Sequence, residues 1–180
     1  DKATGALEGV TYEEIRYECY GPGGVAIIID VLTDNKNRIV AELRHTLSRN
    51  GGNMAETGAV TWNFEEKGVI TIPKEGLGEE EIFEKAIEAG ADDVDTSGDM
   101  YEIYTQMGDL HVVTGALQDM KLNITDAKLT MLPKTTIAVD EKQLNSVLRL
   151  METLEDNEDV QDVYSNVEIT DEAMAAAMGD

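Results

Sequence analysis

Cysteine is almost absent from this 180-residue chain: Cys19 stands alone, which excludes an internal disulfide and most cysteine-built metal sites. With no activating neighbour in the sequence, it reads as a small residue on a strand and not as a reactive thiol. Proline is also scarce, at three residues, and the hydrophobic share is 42%; together these argue for a packed core, in one domain or two small ones, and against disorder. No apolar run approaches the roughly 20 residues of a membrane span. The longest, over 25–32, is broken by Asp30, and the opening "DKATGALEG" has no charged-then-apolar signal pattern. A cytosolic or organelle-matrix location is the expectation, with no membrane partner. Histidine is limited to His45 and His111, on helices of different predicted units, and no G-x-S-x-G elbow occurs. Acid–base and nucleophilic chemistry therefore have little to build on, and a non-enzymatic protein without metal or cofactor is expected. Tryptophan and phenylalanine together number three, and two of them, Trp62 and Phe64, fall on one face of a predicted strand, where core packing is the expected role.

Positive charge is the scarcest commodity of all. Fourteen Lys and Arg face 37 Asp and Glu, a formal net charge of −23. A phosphate backbone repels such a chain unless its cations gather, because affinity for nucleic acid comes from Lys and Arg displacing counterions. They do gather once. "NKNRIVAELRHTLSRN" (35–50) holds Lys36, Arg38, Arg44 and Arg49 against the single acid Glu42, whereas 135–180 holds twelve acids against Lys142 and Arg149.

The hydrophobic patterning supplies the organisation. Residues 25–33 are continuously apolar, as in a strand buried on both faces. Asp34 and Asn35 can cap a helix over 35–50 whose apolar face is Ile39, Val40, Leu43 and Leu47, with Arg38, Glu42, His45 and Arg49 opposite. "NGGN" (50–53) stops it. Strands are predicted at 59–64, 68–73, on both sides of a turn within 92–106, and at 126–132, with helices at 79–90 and 109–120. A strand at 135–139, a helix over 141–155 opened by an Asp140/Gln143 capping box, and a strand at 160–169 complete the pattern. In the last strand Val163, Val167 and Ile169 are expected on one side and Tyr164, Asn166 and Glu168 on the other.

Two βαββαβ patterns emerge, the ferredoxin-like split βαβ motif. The expected fold class is α+β with two such units, the second inserted into the first. One domain takes residues 1–66 plus 135–180, with 11–20 as an extra N-terminal edge strand; the other takes 67–134. The last ten residues read as a frayed helical tail.

Two motifs invite chemistry and fail on context. "GPGG" (21–24) precedes its strand, whereas phosphate loops follow a strand and open a helix, so it reads as a turn with Pro22 fixing φ and Gly23 or Gly24 supplying positive φ. "DVDTSGD" (93–99) begins like a calcium loop, but Tyr104 stands at the twelfth position and strands flank it, so a hairpin turn is the better account.

The one feature with a functional reading is the basic face of the 35–50 helix. Lys36, Arg38, Arg44, His45 and Arg49 are the candidate nucleic-acid contacts. The alternative is a solvated face with an Arg38–Glu42 pair.

"RYECYGPGG", "DNKNR" and "NGGN", followed by "AGADDVDTS", "MLPKTTIAVDE" and "LEDNEDVQDVYSNVEI", resemble the YebC/PmpR family, which includes the mitochondrial translational activator of cytochrome c oxidase subunit I. Cys19 stands where glycine is usual. The resemblance implies two ferredoxin-like domains, the third domain inserted in the second, behind a basic N-terminal helical domain. That first domain, with its G-H-S-K-W start, is absent here, and "DKATGALEGV" looks like the tail of its last helix. It also implies a regulator of gene expression acting on promoter DNA or on the ribosome and its RNA, dependent on that first domain for much of its cationic surface. Such a factor would be cytoplasmic, or in the mitochondrial matrix of a eukaryote. The resemblance brings no catalytic residues. The alternative is a regulatory module holding a small ligand or a protein partner in a cleft between the α/β units, the acidic insert engaging a basic protein.

Overall fold

The structure, a computed structural model, describes residues 10–169. Of the end of a helix expected at 1–10, all but Val10, which is not helical, lies outside the described residues, as does the helical tail expected at 171–180. Within them the chain divides into two compact units, one of residues up to 64 together with those from 133 onward, the other of Glu65–Leu132.

The first unit opens with β1 (Glu13–Tyr20), which turns back through Pro22–Gly24 into β2 (Ala26–Thr33). Gly23 and Gly24 both take left-handed φ, of 74° and 81°, which glycine adopts without a Cβ clash. Helix α1 (Lys36–Arg49) and the two-residue β3 (Asn53–Met54) follow. After the second unit, α4 (Glu141–Glu155) and β8 (Val160–Ser165) complete this one. The sheet order is β3-β1-β2-β8. Ile27, Ile29 and Val31 of β2 and Cys19 of β1 meet Ile39, Leu43 and Leu47 of α1 and Leu144, Val147 and Leu150 of α4 in one buried cluster.

The second unit runs β4 (Phe64–Pro73), α2 (Glu79–Ala89), β5 (Asp93–Asp95), β6 (Met100–Gln106), α3 (Leu110–Asp119) and β7 (Asp126–Pro133). Its sheet order, β5-β6-β4-β7, is that of the split βαβ motif. The α+β class with two such units, one inserted in the other, is therefore what the chain adopts. The calcium-like "DVDTSGD" is the β5–β6 turn, where the Asp95 carboxylate accepts from the Ser97 amide at 2.9 Å and its hydroxyl at 2.6 Å.

Several strand assignments are corrected. The predicted strand at 59–64 is absent: its alternation belongs to a loop with a 3-10 turn at Thr61–Asn63, and β4 begins only at Phe64. The reason is Glu18. Its carboxylate takes the amides of Gly58 (2.6 Å), Val60 (2.9 Å) and Thr61 (2.8 Å), groups that a strand would have given to a ladder. The predicted strand at 135–139 shrinks to a single parallel bridge between Ile137 and Val167. Its place beside β2 belongs to β1, which pairs with β2 in register from Glu13↔Thr33 to Tyr20↔Ala26, a short-turn hairpin that closes at little entropic cost. The expected edge strand is thus an interior one at its C-terminal end, where Cys19 and Tyr20 pair with Met54 and Asn53. At the last strand, Val167 is buried but Ile169 is 48% exposed, and Asn166 is buried at 8%.

Helix boundaries follow the local signals closely. The Asp140 carboxylate accepts from the Gln143 amide at 2.7 Å, and the Gln143 side chain accepts from the Asp140 amide, closing the capping box. Asp140→Ala is expected to cost about 1 kcal/mol, read as a lower midpoint in a thermal melt, with Gln143→Ala costing less.

Candidate nucleic-acid interface

Helix α1 starts because the Asn35 carbonyl oxygen of its side chain accepts from the Arg38 amide at 3.0 Å. It ends at Asn50, whose Nδ2 donates to the Thr46 carbonyl at 2.7 Å, and Gly51 then turns the chain at φ 80°. Ile39, Leu43 and Leu47 are buried, which leaves Lys36, Arg38, Arg44, His45 and Arg49 exposed.

The structure does not bring these five together as one patch. At about 100° per residue, Arg38, His45 and Arg49 lie within about 40° of one another, while Arg44 sits more than about 90° away, on the flank nearer Lys36. The two sides meet different neighbours. Arg38 and His45 line an open groove of about 630 Å³ with Tyr12, Asp34, Glu42, Thr46, Asn157, Glu158 and Asp159. Arg44 lines a separate groove of about 440 Å³ against β3, with Ser48, Asn53 and Glu56.

Arg38 is committed within the fold. Its Nη2 reaches the carboxylates of Asp159 at 2.6 Å and Asp34 at 3.0 Å, and these bonds raise the guanidinium pKa further, Asp159 contributing most. Asp159 also accepts from the Thr33 hydroxyl at 2.8 Å. Glu42, the partner suggested by sequence, instead accepts from Asn157 Nδ2 at 3.0 Å. The Arg38 flank thus stitches α1 to the loop before β8. Its groove carries four carboxylates, Asp34, Glu42, Glu158 and Asp159, against one guanidinium. Lys36, Arg44 and Arg49 carry no ion pair among the described residues.

A third concave surface has no counterpart in the sequence reading. Trp62, expected in the core with Phe64, is 69% exposed, whereas Phe64 is 5% exposed. The indole Nε1 donates to the Ala59 carbonyl at 2.9 Å, and the loop that carries it is fastened to Glu18. Beside it Asn63 clasps the returning chain: its amide donates to the Thr135 carbonyl at 3.0 Å and accepts from the Thr135 amide at 3.1 Å, while its own carbonyl accepts from the Lys134 amide at 2.6 Å. A pocket of about 290 Å³ lies here, bounded by Tyr20, Ala26, Val60, Trp62, Thr136, Ile137 and Asn166. Nothing in the local pattern separates Trp62 from Phe64, because the turn between them is set by a carboxylate more than forty positions earlier.

Two split βαβ units, one inserted in the other, with an exposed cation-bearing helix on the outer unit, define a class of α+β protein. Residues 12–167 match the family described as "TACO1/YebC second and third domain", and the chain belongs to that family. It is 48% identical over 174 residues to a "Probable transcriptional regulatory protein" of Syntrophobacter fumaroxidans, covering 96% of this chain and 70% of that one. A protein of the same description from Persephonella marina is 49% identical over 175 residues, with 96% and 70% covered. Among solved structures, a conserved hypothetical protein of Aquifex aeolicus superposes with a TM-score of 0.86 at 41% identity, over 93% of this chain and 69% of that one. No helix among the described residues is long and apolar enough to cross a membrane.

Proposed function

We propose that the chain is a non-enzymatic regulator of gene expression that works in association with nucleic acid, either DNA or ribosomal RNA, in the cytoplasm or a mitochondrial matrix. The observation that carries this reading is α1: its exposed cations Lys36, Arg44 and Arg49 carry no ion pair among the described residues, on a chain of net charge −23. Unpaired cations on such a body are where phosphate can displace counterions without first breaking a salt bridge. The names of the relatives support a regulatory role, and family membership extends it to this chain. Arg38 and His45 would serve at the margin, since Arg38 already holds two carboxylates. We further propose that high affinity needs the portion of the relatives that this chain does not match.

The test is a binding titration at several salt concentrations, on this chain and on the chain fused to the unmatched portion of the Syntrophobacter fumaroxidans relative. Log affinity should fall with log salt. Reversing Lys36, Arg44 and Arg49 to Glu should lower that slope by about 2 to 3, since each phosphate contact contributes about 0.7 to 0.9. An unchanged affinity and slope would remove α1 from the interface. Crosslinking in cells and sequencing the bound nucleic acid separates promoter DNA from ribosomal RNA.

A second reading rests on α2 of the inserted unit, where Phe83 (40% exposed) and Ile87 (73% exposed) run beside a row of Glu80, Glu84 and Glu88 at helical spacing. An apolar ridge next to aligned carboxylates suits a basic amphipathic protein segment.

A further inference from the structure

We infer that the Trp62 pocket is a docking site for one unstacked base of a single-stranded nucleic acid, an inference that rests on the nucleic-acid reading above and names a place and a chemistry for it. Three observations converge. The indole is the only tryptophan of the chain and is 69% exposed, yet it is not loose: Ala59 holds its N–H at 2.9 Å, and Glu18 holds the loop beneath it. A ring oriented in advance loses little freedom when a base stacks on it.

The second observation is Asn166, 8% exposed on the pocket wall. Its Oδ1 is occupied by the Ala26 amide at 2.8 Å, which leaves Nδ2 as a donor without a partner among the described residues. A donor with no protein partner, on a residue that lines a cavity, can be met by an acceptor held in that cavity. Base edges present carbonyl oxygens and ring nitrogens in the plane of the ring, so a planar base supplies a face to Trp62 and an acceptor to Asn166 together. The Thr136 hydroxyl on the same wall can add a second polar contact.

The third is charge. Lys134 is exposed and directly precedes the lining residue Thr135 on the segment that Asn63 clasps to this loop, one residue from the pocket, within reach of a phosphate that follows the base. A nucleotide joins a stacking face, in-plane acceptors and an anionic phosphate in one unit, whereas an aromatic side chain carries no phosphate of its own, which is why a nucleotide is favoured. A volume of about 290 Å³ takes one base and part of its sugar, and a duplex cannot offer one without unpairing it.

Because Trp62 is the sole tryptophan, its emission reports on this pocket alone. The 180-residue chain is titrated at low salt with a fluorescein-labelled single-stranded RNA and with the matching single-stranded DNA, following anisotropy and tryptophan emission together. The expected result is a saturable change of emission with the same midpoint as the anisotropy, and none with the duplex. Trp62→Ala should weaken binding about tenfold or more with little change in the thermal melt, the side chain being exposed. Asn166→Asp keeps the acceptor for the Ala26 amide and removes the donor, and it too should bind more weakly. Anisotropy that rises while the emission stays flat, or equal affinity for Trp62→Ala, overturns the pocket and leaves the α1 reading standing. Absence of both signals also overturns it, while the α1 reading is judged separately on the fused protein. An emission change with an aromatic-rich peptide but not with nucleic acid would reassign the pocket to a protein partner.

Discussion

Replacing Glu18 by alanine is expected to destabilise the outer unit by about 3 kcal/mol or more. Glu18 is 6% exposed, and its two carboxylate oxygens satisfy three backbone amides of the 58–61 loop. Hydrogen bonds to a charged group contribute roughly 1.5–3 kcal/mol each, non-additively, and alanine leaves three donors to find water. Against a typical total stability of about 5–15 kcal/mol, that is a large fraction. Glu18→Gln separates charge from geometry. Oε1 takes both Val60 and Thr61, so an amide oxygen there keeps two bonds, but the NH2 then faces the Gly58 amide that Oε2 had accepted. About half the loss is expected.

The same site sets a pH dependence. Burial alone would raise the Glu18 pKa, but the amides of Gly58, Val60 and Thr61 and the Thr61 side chain outweigh it, so the carboxyl lies below its ordinary value. A carboxyl depressed in the folded state stabilises fully above its unfolded pKa of about 4.3, and that contribution is lost as pH falls through the folded value. Urea denaturation of the wild type and of Glu18→Gln should therefore differ most near neutrality and converge in acid. A constant difference across that range would show that the charge is not what holds the loop.

Gly52→Ala is expected to cost about 2–3 kcal/mol, because the space is taken by backbone and not by a side chain that could move. A Cβ at Gly52 would stand 2.5 Å from the Tyr20 carbonyl oxygen and 3.2 Å from Leu47 Cδ2. Relief requires parting β3 from β1 at the Tyr20↔Asn53 pair, just where the Gly52 amide also closes α1 on the Leu47 carbonyl at 2.7 Å. Cys19 gives a local readout. It is fully buried, 3.7 Å from the Met54 sulfur, and burial, with the Glu18 charge adding to it, pushes its thiol up to about 12. Wild-type protein should react with a thiol reagent only by opening, whereas the variant should react faster under native conditions. Equal thiol reactivity and an unchanged melting midpoint would show that β3 yields without cost.

The same contrast between local and distant causes explains what was legible before folding. Each helix was readable from its own residues: apolar spacing gave α1 the face of Ile39, Leu43 and Leu47, and Asn35, the glycines of 51–52 and the Asp140–Gln143 pair marked ends that the chain uses. Helical hydrogen bonds and caps join residues three or four apart, so the sequence alone determined them, and with them the α+β class of two split βαβ units. Tertiary structure alone decided the rest. Alternation at 59–64 looked like a strand until the carboxylate of Glu18 claimed its amides. That choice turned Trp62 out to solvent, and with Asn63 and Asn166 built a pocket from three stretches of chain. Arg38 lay on the expected basic face, but Asp159, 121 residues away, took its guanidinium, whereas Lys36, Arg44 and Arg49 carry no ion pair among the described residues. Such side-chain contacts depend on which segments the fold brings within about 3 Å, a distance that no periodicity along the chain encodes.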